Sequence, residues 1–80
     1  MDVFYGFITL FPYNFTPLYW APCDGRTLSI SQNQALFALL GTKFGGDGIS
    51  TFCLPDLRNA APIQGTAYYI SLSGIYPTPN

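Results

Sequence analysis

The chain has no histidine, no glutamate and only three basic residues. Without histidine, the commonest acid–base group and the commonest transition-metal ligand are both missing. The acids are Asp2, Asp24, Asp47 and Asp56, and the last three lie beside glycine or proline, where aspartate is ordinarily turn and cap chemistry. Ser29, Ser31 and Ser50 have no base near them in sequence, so no nucleophile is indicated. A weak calcium site from Asp24 and Asp47 would be the only metal option, and no EF-hand spacing supports it. No catalytic residue, metal ligand or cofactor is therefore assigned, and the chain is expected not to be an enzyme.

Basic patches are missing too, which argues against binding a nucleic-acid backbone. Aromatic residues make up 18% of the chain but are not interleaved with Lys or Arg. No apolar run approaches the 18 or so residues that a membrane span needs. Met1-Asp2-Val3 carries no positive charge of the kind that opens a signal peptide, so none is expected. Only two cysteines occur, Cys23 and Cys53, at a spacing that fits neither zinc nor CxxC chemistry. An intrachain disulfide, two buried thiols and an intersubunit bridge all remain open for them.

What the chain has is apolar surface in excess of charge. Hydrophobic residues make up 49% of it and charged residues 9%, where about 25% charged is usual. Eighty residues suit one domain, spanning 1–80, and a chain so short buries only about 60% of its unfolded surface. Few ionic groups and a net charge of −1 favour association over a solvated monomer.

The best-specified stretch runs from Ser29 to Leu57. Ser31 and Gln34 have the spacing of a capping box, and Gly41 supplies a C-terminal stop, which predicts a helix over Gln32–Leu40. Its last six residues are apolar all round and need covering. In Gly45-Gly46-Asp47-Gly48, three glycines permit positive φ, and Asp47 can accept bonds from neighbouring amides. A phosphate loop would continue with Gly-Lys-Ser/Thr, which is absent, so the segment reads as a structural turn. Thr51–Leu54 reads as a strand stopped by Pro55.

The alternation of Val3–Phe11 predicts a first strand, apolar on both faces and so covered on both. Pro12–Pro17 is an extended loop. Asp24-Gly25 suggests a hairpin turn into a strand Thr27–Ile30. Asn59–Thr66 is a polar connector. Ala67–Gly74 predicts a closing strand with Tyr68, Ile70 and Leu72 inward, and Pro77 and Pro79 end the ladder. The expected core is Trp20, Leu36, Leu39, Leu40, Leu54 and Ile70. Together these elements predict an α+β domain, mostly antiparallel β with one short helix near 32–40.

Ser31–Phe37, Leu39–Thr42, Phe44–Gly48, Thr51-Phe52 and Leu54–Arg58 resemble the phage tail collar domain of short tail fibres and of the bacterial proteins called microcystin-dependent. Phe4, Gly6, Ile8, Leu10-Phe11, Asn14-Phe15, Pro17, Trp20-Ala21 and Cys23–Gly25 agree in the same register. Ile70, Leu72, Gly74-Ile75, Pro77 and Asn80 resemble the family's closing strand. Longer members carry a large insertion before that strand, whereas here Asn59–Thr66 joins directly. The resemblance implies a structural, self-assembling subunit of a phage-tail-related or extracellular fibre, assembled in the cytoplasm and leaving by lysis or another leaderless route. A receptor- or glycan-binding tail-tip module, stacking sugar on Tyr13, Tyr19, Trp20 and Tyr69, is the alternative.

Departures from the family pattern point to where such a subunit would associate. Phe7 and Thr9 replace the usual Glu and Arg, Leu18 and Ile49 replace Arg, Ala60 replaces Arg, and Tyr13 and Tyr19 replace Gly. Tyr69 stands where relatives often carry a cysteine paired with the equivalent of Cys23. These changes turn wet surface apolar and predict a self-assembly interface of Tyr5, Phe7, Thr9, Phe11, Tyr13, Leu18, Tyr19 and Ile49. The expected partner is another copy of the chain, in filaments rather than closed trimers, because dissimilar patches make heterologous contacts.

Overall fold

The computed structural model describes residues 3–13 and 15–77. Met1, Asp2, Asn14, Thr78, Pro79 and Asn80 lie outside the described residues, and with them the readings made on those positions. Five strands and one helix follow in the order β1 (Ile8–Phe11), β2 (Trp20–Pro22), β3 (Thr27–Ser29), α1 (Gln34–Leu40), β4 (Thr51–Cys53) and β5 (Ala67–Ser71). They form an antiparallel three-stranded sheet, ordered β1-β5-β2, and an antiparallel β3-β4 pair. This is the expected α+β, mostly antiparallel arrangement.

The long-range pairing places β5 at the centre of the larger sheet. Tyr68 accepts a bond from the Cys23 amide, and the Leu72 amide donates to Tyr19. The even-numbered residues of β5 thus face β2, while Ser71, whose amide donates to Phe7, faces β1 with the other odd-numbered ones. Both faces of β5 are covered, since Ile70 and its opposite-facing neighbours Tyr69 and Ser71 are all buried. The expected split into an inner and an outer face holds only for the inner set, because aromatic rings close over the other side.

Phe52, Leu36, Leu54 and Ile70 are the large apolar core, joined by Ala21 and Cys23. Trp20, Leu39 and Leu40, expected to be almost inaccessible, are only half-buried. The helix is too short to be wrapped on every side, and Leu36 is its one buried residue. Phe52 fills the place assigned to Trp20, with Phe37 tilted against it at 5.4 Å.

Several boundaries differ from expectation for local reasons. The first strand begins at Ile8 rather than Val3. Gly6, at φ +78°, and a bond from the Phe7 amide to the Phe4 carbonyl make a turn just before it. Phe4 pairs instead, in parallel, with Ile75. The helix begins two residues late and has no capping box. Asn33 is its N-cap without a side-chain capping bond, and its amide group donates to the Ser29 carbonyl, while Ser31 pairs with Ser29 through their hydroxyls. The β3 end thus captures the polar groups expected to cap the helix. Gly41 ends the helix at φ +56°, its amide donating to Phe37.

Asp24-Gly25 does not turn a hairpin, because β2 and β3 belong to different sheets. It carries the chain across the seam between them, where Asp24 bridges to Asp56, Gly25 donates to the Pro55 carbonyl and Leu57 donates to that of Cys23. A Cβ on Gly25 would lie 3.3 Å from the Asp56 Cβ, so a residue without one suits the crossing. The strand after it ends at Ser29 and its partner at Cys53, one residue short of expectation at each; the closing strand ends at Ser71 rather than Gly74.

Both cysteines are free. Phe52 turns into the core, so by strand alternation Cys53 turns the other way, where its Sγ lies 3.4 Å from the Thr27 hydroxyl. Cys23 lies within the core, and burial together with the neighbouring Asp24 charge pushes its thiol up to about 11. In this structure Cys23 and Cys53 are not bridged to each other.

Candidate assembly surface

Side chains directly opposite one another on antiparallel strands share a face. The register puts Thr9, Tyr69 and Pro22 in one row, Phe11 opposite Ala67, and Trp20 opposite Ser71. Phe7, two residues before Thr9, joins the same face. The predicted alternation of β1 is thus realised, with Ile8 and Leu10 on the face of the core residue Ile70, and Phe7, Thr9 and Phe11 on the other.

An aromatic layer covers that second face. Phe11 stacks on Tyr13 at 5.1 Å, and Tyr13 stacks on Phe15 at 5.0 Å. Trp20 stands edge-on to Phe11 at 5.0 Å and to Phe7 at 6.4 Å, and Tyr69 tilts against Phe11 at 5.7 Å. The Tyr69 hydroxyl reaches the carbonyls of Tyr13 and Phe15, each at 3.4 Å, and shares its one proton between them. This holds the loop after β1 down over the sheet. Rings in such offset and edge-on contacts contribute about 0.5–1.5 kcal/mol per pair beyond area burial. The layer is also open to solvent, since Phe7, Tyr13 and Phe15 are exposed.

Leu18 and Tyr19 continue it at the entry to β2, where they are 78% and 64% exposed. Tyr19 is the one non-glycine residue at positive φ among the described residues, at +67°. Its carbonyl is fixed by the Leu72 amide at 2.8 Å, and the Trp20 amide closes a turn onto Pro17. The backbone here has the shape that suits glycine, yet it carries a large ring with little to pack on.

The other two residues of the predicted interface lie elsewhere. Tyr5 tilts against Tyr76 and borders a depression of about 100 Å³ with Gln32, Asn33, Leu36 and Leu72. That space is far below the 300–1,000 Å³ of a small-molecule site. Ile49, 87% exposed, tops the glycine turn beside β4. There the Asp47 carboxylate accepts bonds from the Ile49, Ser50 and Thr51 amides, which hold its pKa well below the usual carboxylate range. Gly46 lets the turn lie against the strand, because a Cβ there would meet the Phe52 Cα at 2.4 Å.

Charge sits away from the aromatic layer. Arg26 pairs with Asp24 at 3.0 Å and Arg58 with Asp56 at 2.6 Å, on the two segments that bridge at the seam. The arginine bonds lower both carboxylates, that of Asp56 to about 2. No charged residue occurs in Val3–Cys23 or in Asn59–Pro77. Among the described residues no group of three or more potential metal ligands comes together. Among them, too, no helix is long and apolar enough to cross a membrane.

The most developed surface of this two-sheet α+β domain is thus aromatic and uncharged. The profile of the phage tail collar domain matches residues 6–62, most of the chain, and the protein is a member of that family. Membership points to a structural part in a phage tail fibre, as a virion or tail component. No curated protein matches the chain. The match stops short of β5, whose resemblance to the family's closing strand lies beyond the matched residues.

Proposed function

We propose that the chain is a self-assembling structural subunit that polymerises into a phage-tail-related or extracellular fibre. The observation that carries this is the uncharged aromatic face of the three-stranded sheet, continued by Leu18 and Tyr19. Soluble monomers seldom leave apolar patches of more than a few hundred Å² open to water. Ile49 lies on the turn before β4, beside the other sheet, so a subunit has apolar surface in more than one place, as an open, growing assembly requires.

A glycan-binding tip would use the same rings differently. Sugars stack on free aromatic faces, but Phe11, Tyr13 and Phe15 stack on one another and Trp20 is edge-on between Phe7 and Phe11. That consumption of ring faces favours a protein partner. Sedimentation and negative-stain electron microscopy test the proposal. Purified protein at tens of micromolar should form large homo-oligomers, and Phe7→Glu with Thr9→Arg should weaken them by burying unpaired charge at the contact. A monodisperse monomer that binds a glycan array would overturn the reading in favour of the tip module.

A further inference from the structure

Each sheet has two outer edges, and three of the four are blocked. On β2, the outward-facing residues are Trp20 and Pro22; the Trp20 amide is already bonded to Pro17, and Pro22 has no amide proton. On β4, the Cys53 amide donates to Gly45 and the Thr51 carbonyl accepts from Gly48. On β3, the Asn33 side chain occupies the Ser29 carbonyl, and the charged Arg26 adjoins the strand. Proline, charge and covering loops are the usual means by which proteins stop edges from pairing.

Among the described residues β1 has none of these within Ile8–Phe11. Thr9 and Phe11 turn their backbone groups toward β5, so Ile8 and Leu10 turn theirs outward, and β1 pairs with β5 alone among the described residues. The strand is Ile-Thr-Leu-Phe, with no charge, proline or bulge. We infer that β1 is a strand-addition edge whose occupant is β1 of a second copy, antiparallel about a two-fold axis through Thr9. This rests on the self-assembly proposed above and names its contact.

The register follows from which groups are free. Two-fold pairing about Thr9 sets Ile8 against Leu10 of the second copy, so that each exchanges both backbone bonds. Centring on Leu10 would oppose Ile8 to Pro12, which has no amide proton. Centring on Ile8 would oppose Leu10 to Gly6, which is in a turn and whose amide already bonds Ser71. Only the Thr9 axis satisfies both outward residues. It also sets Phe7 against Phe11 and Thr9 against Thr9 on the aromatic face, pairs of the kind that stabilise antiparallel strands. Two three-stranded sheets then become one of six strands with a continuous aromatic face. Such a contact closes on itself, so a filament needs a second one, for which Leu18, Tyr19 and Ile49 remain.

Two variants test this. Ile8→Pro deletes an outward amide and leaves the β1–β5 bonds intact, so circular dichroism should match the parent while sedimentation shows association weakened about tenfold or more. In a Cys53→Ser background, Thr9→Cys should give a disulfide-linked dimer on non-reducing gels, because a non-hydrogen-bonded antiparallel pair brings the Cα atoms to about 4.5 Å. Ile8→Cys, whose copies the register holds apart, should not. If the parent assembles and Ile8→Pro assembles equally well, the β1 edge is not the contact and only this inference falls; a monomeric parent removes the self-assembly reading as well. Cross-linking through Ile8→Cys, or none through Thr9→Cys, overturns the two-fold register.

Discussion

Replacing Tyr19 with glycine should move stability and assembly in opposite directions. A non-glycine residue in the left-handed region costs about 1–2 kcal/mol, and Tyr19, at φ +67°, bears that cost in every folded copy. Glycine removes it but gives the unfolded chain extra freedom, which returns about 0.4–1 kcal/mol. The ring is 64% exposed, so its removal sacrifices little packing in the monomer. The net gain is about 0.5–1 kcal/mol, or roughly 2–8 °C in Tm for a domain this size. It should be read by calorimetry or circular dichroism in dilute solution. If the ring supplies contact area between copies, as proposed above, sedimentation at higher concentration should show the same variant associating more weakly. Tyr19→Ala separates the two effects, since it keeps the strain and deletes the ring; it should match the parent in Tm and the glycine variant in weakened assembly. A Tyr19→Gly protein that melts below the parent, or one that assembles as well as it does, would refute this account of why tyrosine occupies a glycine-shaped position.

Two further outcomes follow from the core and the glycine turn. Leu36→Ala should cost about 2–5 kcal/mol, much of the stability of so small a domain, while Leu39→Ala should cost distinctly less because Leu39 is half-buried; equal losses in denaturant titrations would contradict the burial of Leu36 alone. Asp47, Asp56 and Asp24 all have folded pKa values lowered from 3.8, so their stabilisation is fully present above about pH 4 and is lost as pH falls through the lowered values. Thermal melts should therefore be flat from pH 7 to 5 and decline below about pH 4, with a shallower decline in Asp47→Ala; an unchanged slope in that variant would show that the turn's amide bonds do not contribute.

The parts of the fold legible in sequence were those fixed by one residue's chemistry. Gly41 stops the helix, Asp47 gathers the amides of its own turn, and Phe7, Thr9 and Phe11 alternate against Ile8 and Leu10, each as their local pattern dictates. What sequence hid was settled at long range. Asp24-Gly25 has the composition of a hairpin turn, but its bonds go to Pro55 and Asp56, more than 25 residues away, and no local signal marks a seam between sheets. Phe52 took the central place expected of Trp20 because volume alone does not say which large ring the helix will face; the signal available was Phe52 alternating with Thr51 and Cys53 on a short strand. The Ser31 box failed for a related reason, since the end of β3 offered its polar groups nearer partners. Of the predicted interface, Phe7, Thr9, Phe11 and Tyr13 share one face, Leu18 and Tyr19 adjoin it, and Tyr5 and Ile49 do not.

The distribution of charge decides how assembly should respond to salt. Surface ion pairs weaken as ionic strength rises, because the Debye length falls from about 10 Å at 0.1 M to about 3 Å at 1 M. In this chain Asp24–Arg26 and Asp56–Arg58 are satisfied within the subunit at the seam, and the segments that build the aromatic face carry no charge. An interface made from β1 and that face depends on backbone bonds and apolar burial, neither of which sodium chloride screens. Raising it from 0.05 to 1 M should leave the assembled fraction unchanged or higher, and sulfate, excluded from apolar surface, should increase it further. The measurement is light scattering or sedimentation across the two salt series at fixed protein concentration. Dissociation by sodium chloride would mean that the two arginines exchange partners between copies, and the contact would then have to be sought at the seam instead of at β1.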